Sequence, residues 1–173
     1  MKSRIIVPRD IERIMREDEY IVSTTDPHGR ITSVNDVFVE YSGYAREELL
    51  HAQHNILRHP DMPRAVFWLL WQALQAGEDF MGYVKNLSKD GTYYWVFAHI
   101  LPERNADGEI AGYRSVRRAP RREAIARVAE LYARMRAAEH SVATKDAIPA
   151  GLRVLGEFLA AQDLSYEEMV ARL

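Results

Sequence analysis

Apolar residues recur at two different spacings along this chain, and the switches between them mark its elements. Residues 8–18, PRDIERIMRED, put Ile11, Ile14 and Met15 on one face behind a first-turn proline, which predicts a short cap helix within residues 1–19. YIVSTTD and RITSVN are β-rich runs on either side of the turn PHG, the pattern of a hairpin. NDVFVEYSGY then shifts to three- and four-residue spacing through Val37, Phe38 and Tyr41. That predicts a short helix capped by Asn35 and ended by Ser42-Gly43. AREELLH is a further short helical piece. The run RAVFWLLWQALQAG reads as a longer helix, apolar on most faces and stopped by Gly77.

Beyond Gly77 the period returns to two. FMGYVKNLS, TYYWVFAHILPE and IAGYRSVRR are three strands joined by turns that both contain Asp-Gly, a strong signal for antiparallel hairpins. Two early strands and three late ones make a five-stranded antiparallel sheet with short helices on one face, an α+β domain over residues 20–119. Residues 120–173 follow as a C-terminal helical extension. RREAIARVAELYARMRAAEH carries an apolar stripe of Ile125, Val128, Tyr132 and Met135, and Ser165 with Glu168 forms a capping-box pattern.

Composition narrows the function. The 173 residues are 47% hydrophobic and 28% charged, a globular composition, and the net charge of −2 offers no surface suited to nucleic acid. The absence of cysteine removes disulfides, thiolate metal sites, cysteine nucleophiles and photochemistry through a cysteinyl adduct. No signal peptide and no run of the roughly 20 apolar residues needed for a membrane span is visible, so a cytoplasmic location away from membranes is expected. No Walker-type phosphate loop, G-x-G-x-x-G or nucleophile-base pair at a known spacing points to an enzyme.

The stretch that stands out is HNILRHPDMP, residues 54–63, with two histidines, an arginine and an aspartate ahead of the long helix, and with Pro60 and Pro63 restricting the backbone around Asp61. The order ββ, helices, βββ resembles a PAS domain. STTDPHGRITSVNDVFVEYSGY is similar to the PAS opening, in which an asparagine ends the second strand. HNILRHPDMP, GYVKNLSKDGTYYWV and GYRSVR resemble one branch of that family, the FAD-binding sensor of bacterial aerotaxis transducers, over roughly residues 20–119. Those transducers continue into a membrane anchor and a methyl-accepting coiled coil. With neither pattern in its sequence, this chain is expected to act as a cytoplasmic sensor through an unknown signalling partner, and the resemblance makes a homodimer a reasonable expectation.

The resemblance implies FAD contacts at Asn35, Arg58, His59 and Asp61, and a ring neighbour at Trp71. The residue types suit the chemistry. Arg58 is a fixed cation with a planar donor fork, and His59 changes charge near neutral pH. Asp61 also reads as an N-cap of the following helix. Asn86, at the end of a strand, reads as a flavin-edge amide or as a turn residue, and Trp95 is placed in the pocket, although strand alternation alone puts half of such residues on either face. On this reading Asn35→Ala or Arg58→Ala loses FAD while the fold survives. Two other functions compete. One is a haem-binding gas sensor using His51, His54, His59 or His99; the other is a ligand-free dimerisation or interaction module.

Overall fold

A computed structural model describes residues 6–173. The strands are β1 (Ile21–Thr25), β2 (Ile31–Val34), β3 (Phe80–Leu87), β4 (Tyr93–Arg104) and β5 (Ile110–Arg118). They form one antiparallel sheet in the order β2-β1-β5-β4-β3. Between β2 and β3 lie α1 (Asp36–Ser42), α2 (Arg46–Leu49), a 3₁₀ turn over His54–Leu57 and α3 (Arg64–Gln75). The turns that end in Gly91 and Gly108 use left-handed glycines, φ 89° and 81°, as the Asp-Gly signals require. The expected five-stranded α+β architecture is therefore present.

Residues 6–19 correct the sequence reading, because no helix forms there. The segment is extended and runs beside the start of β4. Arg9 N donates to the Gly91 carbonyl, Tyr93 N to Ile11 and Arg13 N to Tyr93. β5 pairs with β4 only from Phe97 onward, so β4 offers unpaired backbone groups at Tyr93. Satisfying those groups outweighs a helix whose apolar stripe would be incomplete: Met15 is buried, but Ile11 and Ile14 remain exposed.

The C-terminal residues form α4 (Arg122–His140), α5 (Ala147–Ala160) and α6 (Tyr166–Arg172). The predicted capping box holds α6: Ser165 Oγ accepts from Glu168 N at 3.1 Å, and Ser165 N donates to Glu168 Oε2 at 2.8 Å. These helices do not stand apart from the sheet. Val128, Leu131, Tyr132, Met135, Leu155 and Met169 share one core with α3, Phe80, Tyr83 and Trp95. A second core, under β1, β2, β4 and α1, gathers Ile21, Ile31, Phe38, Tyr41 and Tyr94.

β3 is a sheet edge, and from Tyr83 to Asn86 it is covered from outside the sheet. Arg58 bridges to Asn86, Lys85 N donates to Met62 Sδ at 3.2 Å, and the Tyr132 hydroxyl donates to the Tyr83 carbonyl at 2.8 Å. An edge so covered is protected from pairing with another strand. No helix among the described residues is long and apolar enough to cross a membrane.

Candidate functional site

A cavity of about 180 Å³ opens between the sheet and the helices. The sheet gives it one wall: Thr25 from β1, Val84 and Asn86 from β3, Ala98 and Ile100 from β4, and Tyr113, Ser115 and Arg117 from β5. The opposite wall comes from the 3₁₀ turn, with Gln53, His54 and Asn55, and from Arg58. Helix α3 completes it with Phe67, Leu70, Trp71 and Leu74. Strand period explains the sheet wall: residues 113, 115 and 117 share one face, as do 98 and 100.

Most of the lining is apolar, with two aromatic rings at the α3 side. Trp71 meets Tyr113 edge to face, with centroids 5.6 Å apart and planes at 79°. The β1–β2 turn packs against the same indole. Gly29 adopts φ 79°, and a Cβ there would lie 3.2 Å from the Trp71 ring. Arg58 lies over Phe67, its guanidinium carbon 4.6 Å from the ring centroid, a cation–π contact at the cavity wall.

Two of the residues that line this space, Asn86 and Arg117, keep buried donor atoms without a partner among the described residues. Asn86 Nδ2 is buried and has no hydrogen-bond partner among the described residues, and the same holds for Arg117 Nε and Nη1. Arg117 is 2% exposed. Its Nη2 donates to Ser23 Oγ, and its guanidinium covers Phe38 at 4.6 Å. Burial lowers its pKa to about 10, which leaves it charged at neutral pH. A buried cation with idle donors is costly unless something accepts from them.

His54 stands next in the same chain of contacts. Its Nε2 lies 3.3 Å from Ser23 Oγ, and its ring packs on Phe38 at 5.9 Å. Burial, with the charge of Arg117 added, lowers its pKa to about 3, so the imidazole is neutral.

Three of the seven sequence-predicted site residues, Arg58, Trp71 and Asn86, come together at the cavity. The other four lie elsewhere. Asn35 is a structural hub: its Oδ1 accepts from Phe38 N at 3.1 Å and from Val22 N at 3.0 Å, while Nδ2 donates to the Tyr20 carbonyl at 2.8 Å. Its side chain is committed to the cap of α1 and the start of β1.

His59 is buried away from the cavity, edge-on to Tyr93 at 5.8 Å. Its Nδ1 accepts from Asp61 N at 3.1 Å, so a neutral ring carries its proton on Nε2. Burial and the nearby Lys85 lower the pKa of His59 to about 4, against the opposing pull of Asp61. Asp61 caps no helix. It pairs with Lys85 Nζ at 2.6 Å, and Lys85 in turn covers Tyr93 at 4.1 Å. Burial raises the Asp61 pKa, but the Lys85 hydrogen bond and the charges of Lys85, His59 and Arg136 together lower it.

Trp95 points to the face opposite Ala98 and Ile100. It packs on Tyr132 of α4 at 6.2 Å, so its alternation phase places it under the C-terminal helices. The decapeptide thus splits by function. His54, Asn55 and Arg58 face the cavity, whereas His59 and Asp61 pin the loop to β3. The cavity residues absent from the sequence-based set are chiefly Arg117, Tyr113 and Ser115. The signal for them was the alternation in GYRSVRR, which puts all three on one face.

The chain is 43% identical over 127 residues to the aerotaxis receptor of Escherichia coli strain K12, a match that covers 73% of this chain and 25% of that protein. It is 31% identical over 97 residues to the nitrogen fixation regulatory protein of Klebsiella pneumoniae, covering 56% of this chain and 20% of that one. It therefore spans a quarter or less of the length of these relatives. Among solved structures, the light state of the blue-light photoreceptor Aureochrome1 LOV superposes with a TM-score of 0.56 at 22% identity, over 65% of this chain and 87% of that one, a likeness of fold. The PAS fold family matches residues 31–117. With half of its 173 residues in that match and the five-stranded sheet in place, the chain belongs to the PAS family.

Proposed function

We propose that this protein is a flavin-based redox sensor: FAD seats its isoalloxazine ring in the cavity, and its redox state passes to a signalling partner. One observation carries the reading. The cavity, flanked by Trp71, Tyr113 and Phe67, is lined in part by Asn86 and Arg117, whose buried Nδ2, Nε and Nη1 donors have no acceptor among the described residues. Such a site suits a flat aromatic ligand with acceptor atoms along its edge. The isoalloxazine ring, with carbonyl oxygens and ring nitrogens on its rim, is of that kind. The similarity to an aerotaxis receptor supports the same reading.

A flavin supplies redox chemistry in which reduction adds electrons and protons to the ring. This chain supplies the rest. Arg117 places a fixed positive charge in the cavity and favours the more negative ligand state. Asn86 offers an amide, and its strand position fixes that amide at the sheet wall. Arg58, exposed toward solvent above Phe67, is suited to the pyrophosphate of the dinucleotide. His59 and Asp61 act indirectly, by holding the loop that carries Arg58.

The test is an absorption spectrum of the purified chain in air, after dithionite, and after incubation with FAD. Bands in the blue and near ultraviolet that bleach on reduction are the expected result. A Soret band would replace flavin with haem and make His54, the histidine that lines the cavity, the residue to examine. A protein that stays colourless after FAD would overturn the sensor reading and leave an interaction module.

A further inference from the structure

Helix α3 carries Phe67, Leu70, Trp71 and Leu74 into the cavity, yet its own sequence gives it no cap: Pro63 stands at the N-cap position and makes no side-chain hydrogen bond there. The first amides of a buried helix need acceptors from elsewhere. They find them 75 residues away in α4. The Glu139 carboxylate, 2% exposed, accepts from Arg64 N through Oε2 and from Ala65 N through Oε1, each at 2.9 Å. A negative charge is stabilised at that end of a helix. Arg136 Nη1 lies 4.0 Å from the same carboxylate.

The site is also made by what is missing from α5. A Cβ on Gly151 would stand 2.5 Å from Glu139 Oε1 and 2.9 Å from the Ala65 methyl group. Only glycine leaves room for the carboxylate to reach α3. The start of α3, the end of α4 and the middle of α5 therefore meet at one polar contact inside an apolar core.

We propose that Glu139 is a positioning residue that couples the cavity to the C-terminal helices. It fixes the start of α3 and with it the placement of Phe67 and Trp71. A ligand that moves α3 is felt in α4 and α5 through the same two hydrogen bonds. The inference rests on the reading of the cavity as a flavin site. Coupling of this kind is reciprocal: if ligand tightens the contact, loosening the contact weakens the ligand. Residues 120–173 are then part of the sensing unit.

The experiment uses the whole chain. Glu139→Gln keeps the volume but replaces one acceptor oxygen by an NH₂ group facing a backbone N–H. FAD affinity is measured by titration at a temperature where the variant and the wild type have the same far-ultraviolet circular dichroism. The expected loss is about tenfold, within the usual range for coupled sites. In the wild type, hydrogen exchange at Arg64, Ala65 and the end of α4 is expected to change on adding FAD, and again on reducing it. That second measurement needs no variant and stands even if Glu139→Gln fails to fold.

A variant with a lower melting temperature but wild-type FAD affinity, together with exchange at these amides indifferent to FAD, would reduce Glu139 to a stabilising cap and overturn the proposal. If the wild type binds no FAD, the flavin reading fails on its own, and the coupling is decided without ligand. In fluorotryptophan-labelled protein, a shift of the Trp71 resonance on Glu139→Gln upholds the link between clamp and cavity wall. An unchanged Trp71 resonance breaks it.

Discussion

Replacing Asn35 separates the two roles that the asparagine after β2 can have. Family resemblance assigns it to FAD, whereas the structure commits its side chain to the fold. Asn35→Ala removes the bond from Phe38 N, the bond from Val22 N and the donation to the Tyr20 carbonyl. Loss of an N-cap costs about 1 kcal/mol. Each of the other two bonds, net of solvation, contributes on the order of 1 kcal/mol. The sum is about 3 kcal/mol, and at roughly 2–4 °C per kcal/mol for a chain of this size the melting temperature falls by about 6–12 °C. Asn35→Asp keeps both acceptor bonds and loses only the donor, so it falls between the two. Thermal unfolding by circular dichroism gives the stabilities, and FAD titration well below the transition gives the affinity of the folded fraction. An unchanged melting temperature with FAD binding abolished would refute this reasoning and return Asn35 to the ligand.

Arg117→Met removes a buried cation whose Nε and Nη1 have no acceptor among the described residues, so the ligand-free chain should unfold at an equal or higher temperature while FAD affinity drops by about tenfold or more. A large loss of stability without ligand would contradict it. Acid should destabilise the fold through His54 and His59, whose pKa values of about 3 and about 4 lie below that of the unfolded chain. As pH falls below about 6.5 the unfolded state takes up these protons first, each adding about 1.4 kcal/mol per pH unit to the loss until the folded pKa is reached. Urea titrations at pH 7 and pH 5 that give equal stability would show that the two rings are not held neutral. Within α5, two glycines should respond with opposite sign. Gly151→Ala forces a methyl group against Glu139 and Ala65 and costs about 1–3 kcal/mol, while Gly156→Ala, with nothing within 4 Å, stabilises by up to about 1 kcal/mol. Denaturant midpoints of the two variants decide it.

Elements whose causes are local were legible in the sequence. The Asp-Gly turns, the Asn35 cap, the stop at Gly77 and the Ser165–Glu168 box each depend on residues within one turn of one another, and all form. Residues 8–18 misled because their helical spacing is real but weaker than the demand of β4 for a backbone partner, which no local window contains. Trp95 shows a subtler limit. Alternation says that neighbouring residues part to opposite faces, but the choice of face belongs to the packing of α4. Arg117 and Arg118 sit side by side in β5, one buried over Phe38 and the other exposed over Phe97; alternation groups Arg117 with Tyr113 and Ser115 but does not say which of the two faces lines the cavity. Glu139 was the least legible of all. It lies near the end of an amphipathic helix, where a carboxylate ordinarily meets water, and only the amides of Arg64 and Ala65 explain its burial.

That contact also orders events during synthesis. The sheet and the cavity wall are translated before residue 139, and domains fold as the chain emerges. Until α4 appears, the first turn of α3 has two amides with no acceptor, and closing a loop of more than seventy residues is the step that supplies one. The nascent domain should therefore pass through a stage with a complete sheet and a frayed α3, and Trp71 should reach its final setting late. A ribosome stalled before and after residue 139 would catch the chain on either side of that step, with proteolysis at the start of α3 as the clock.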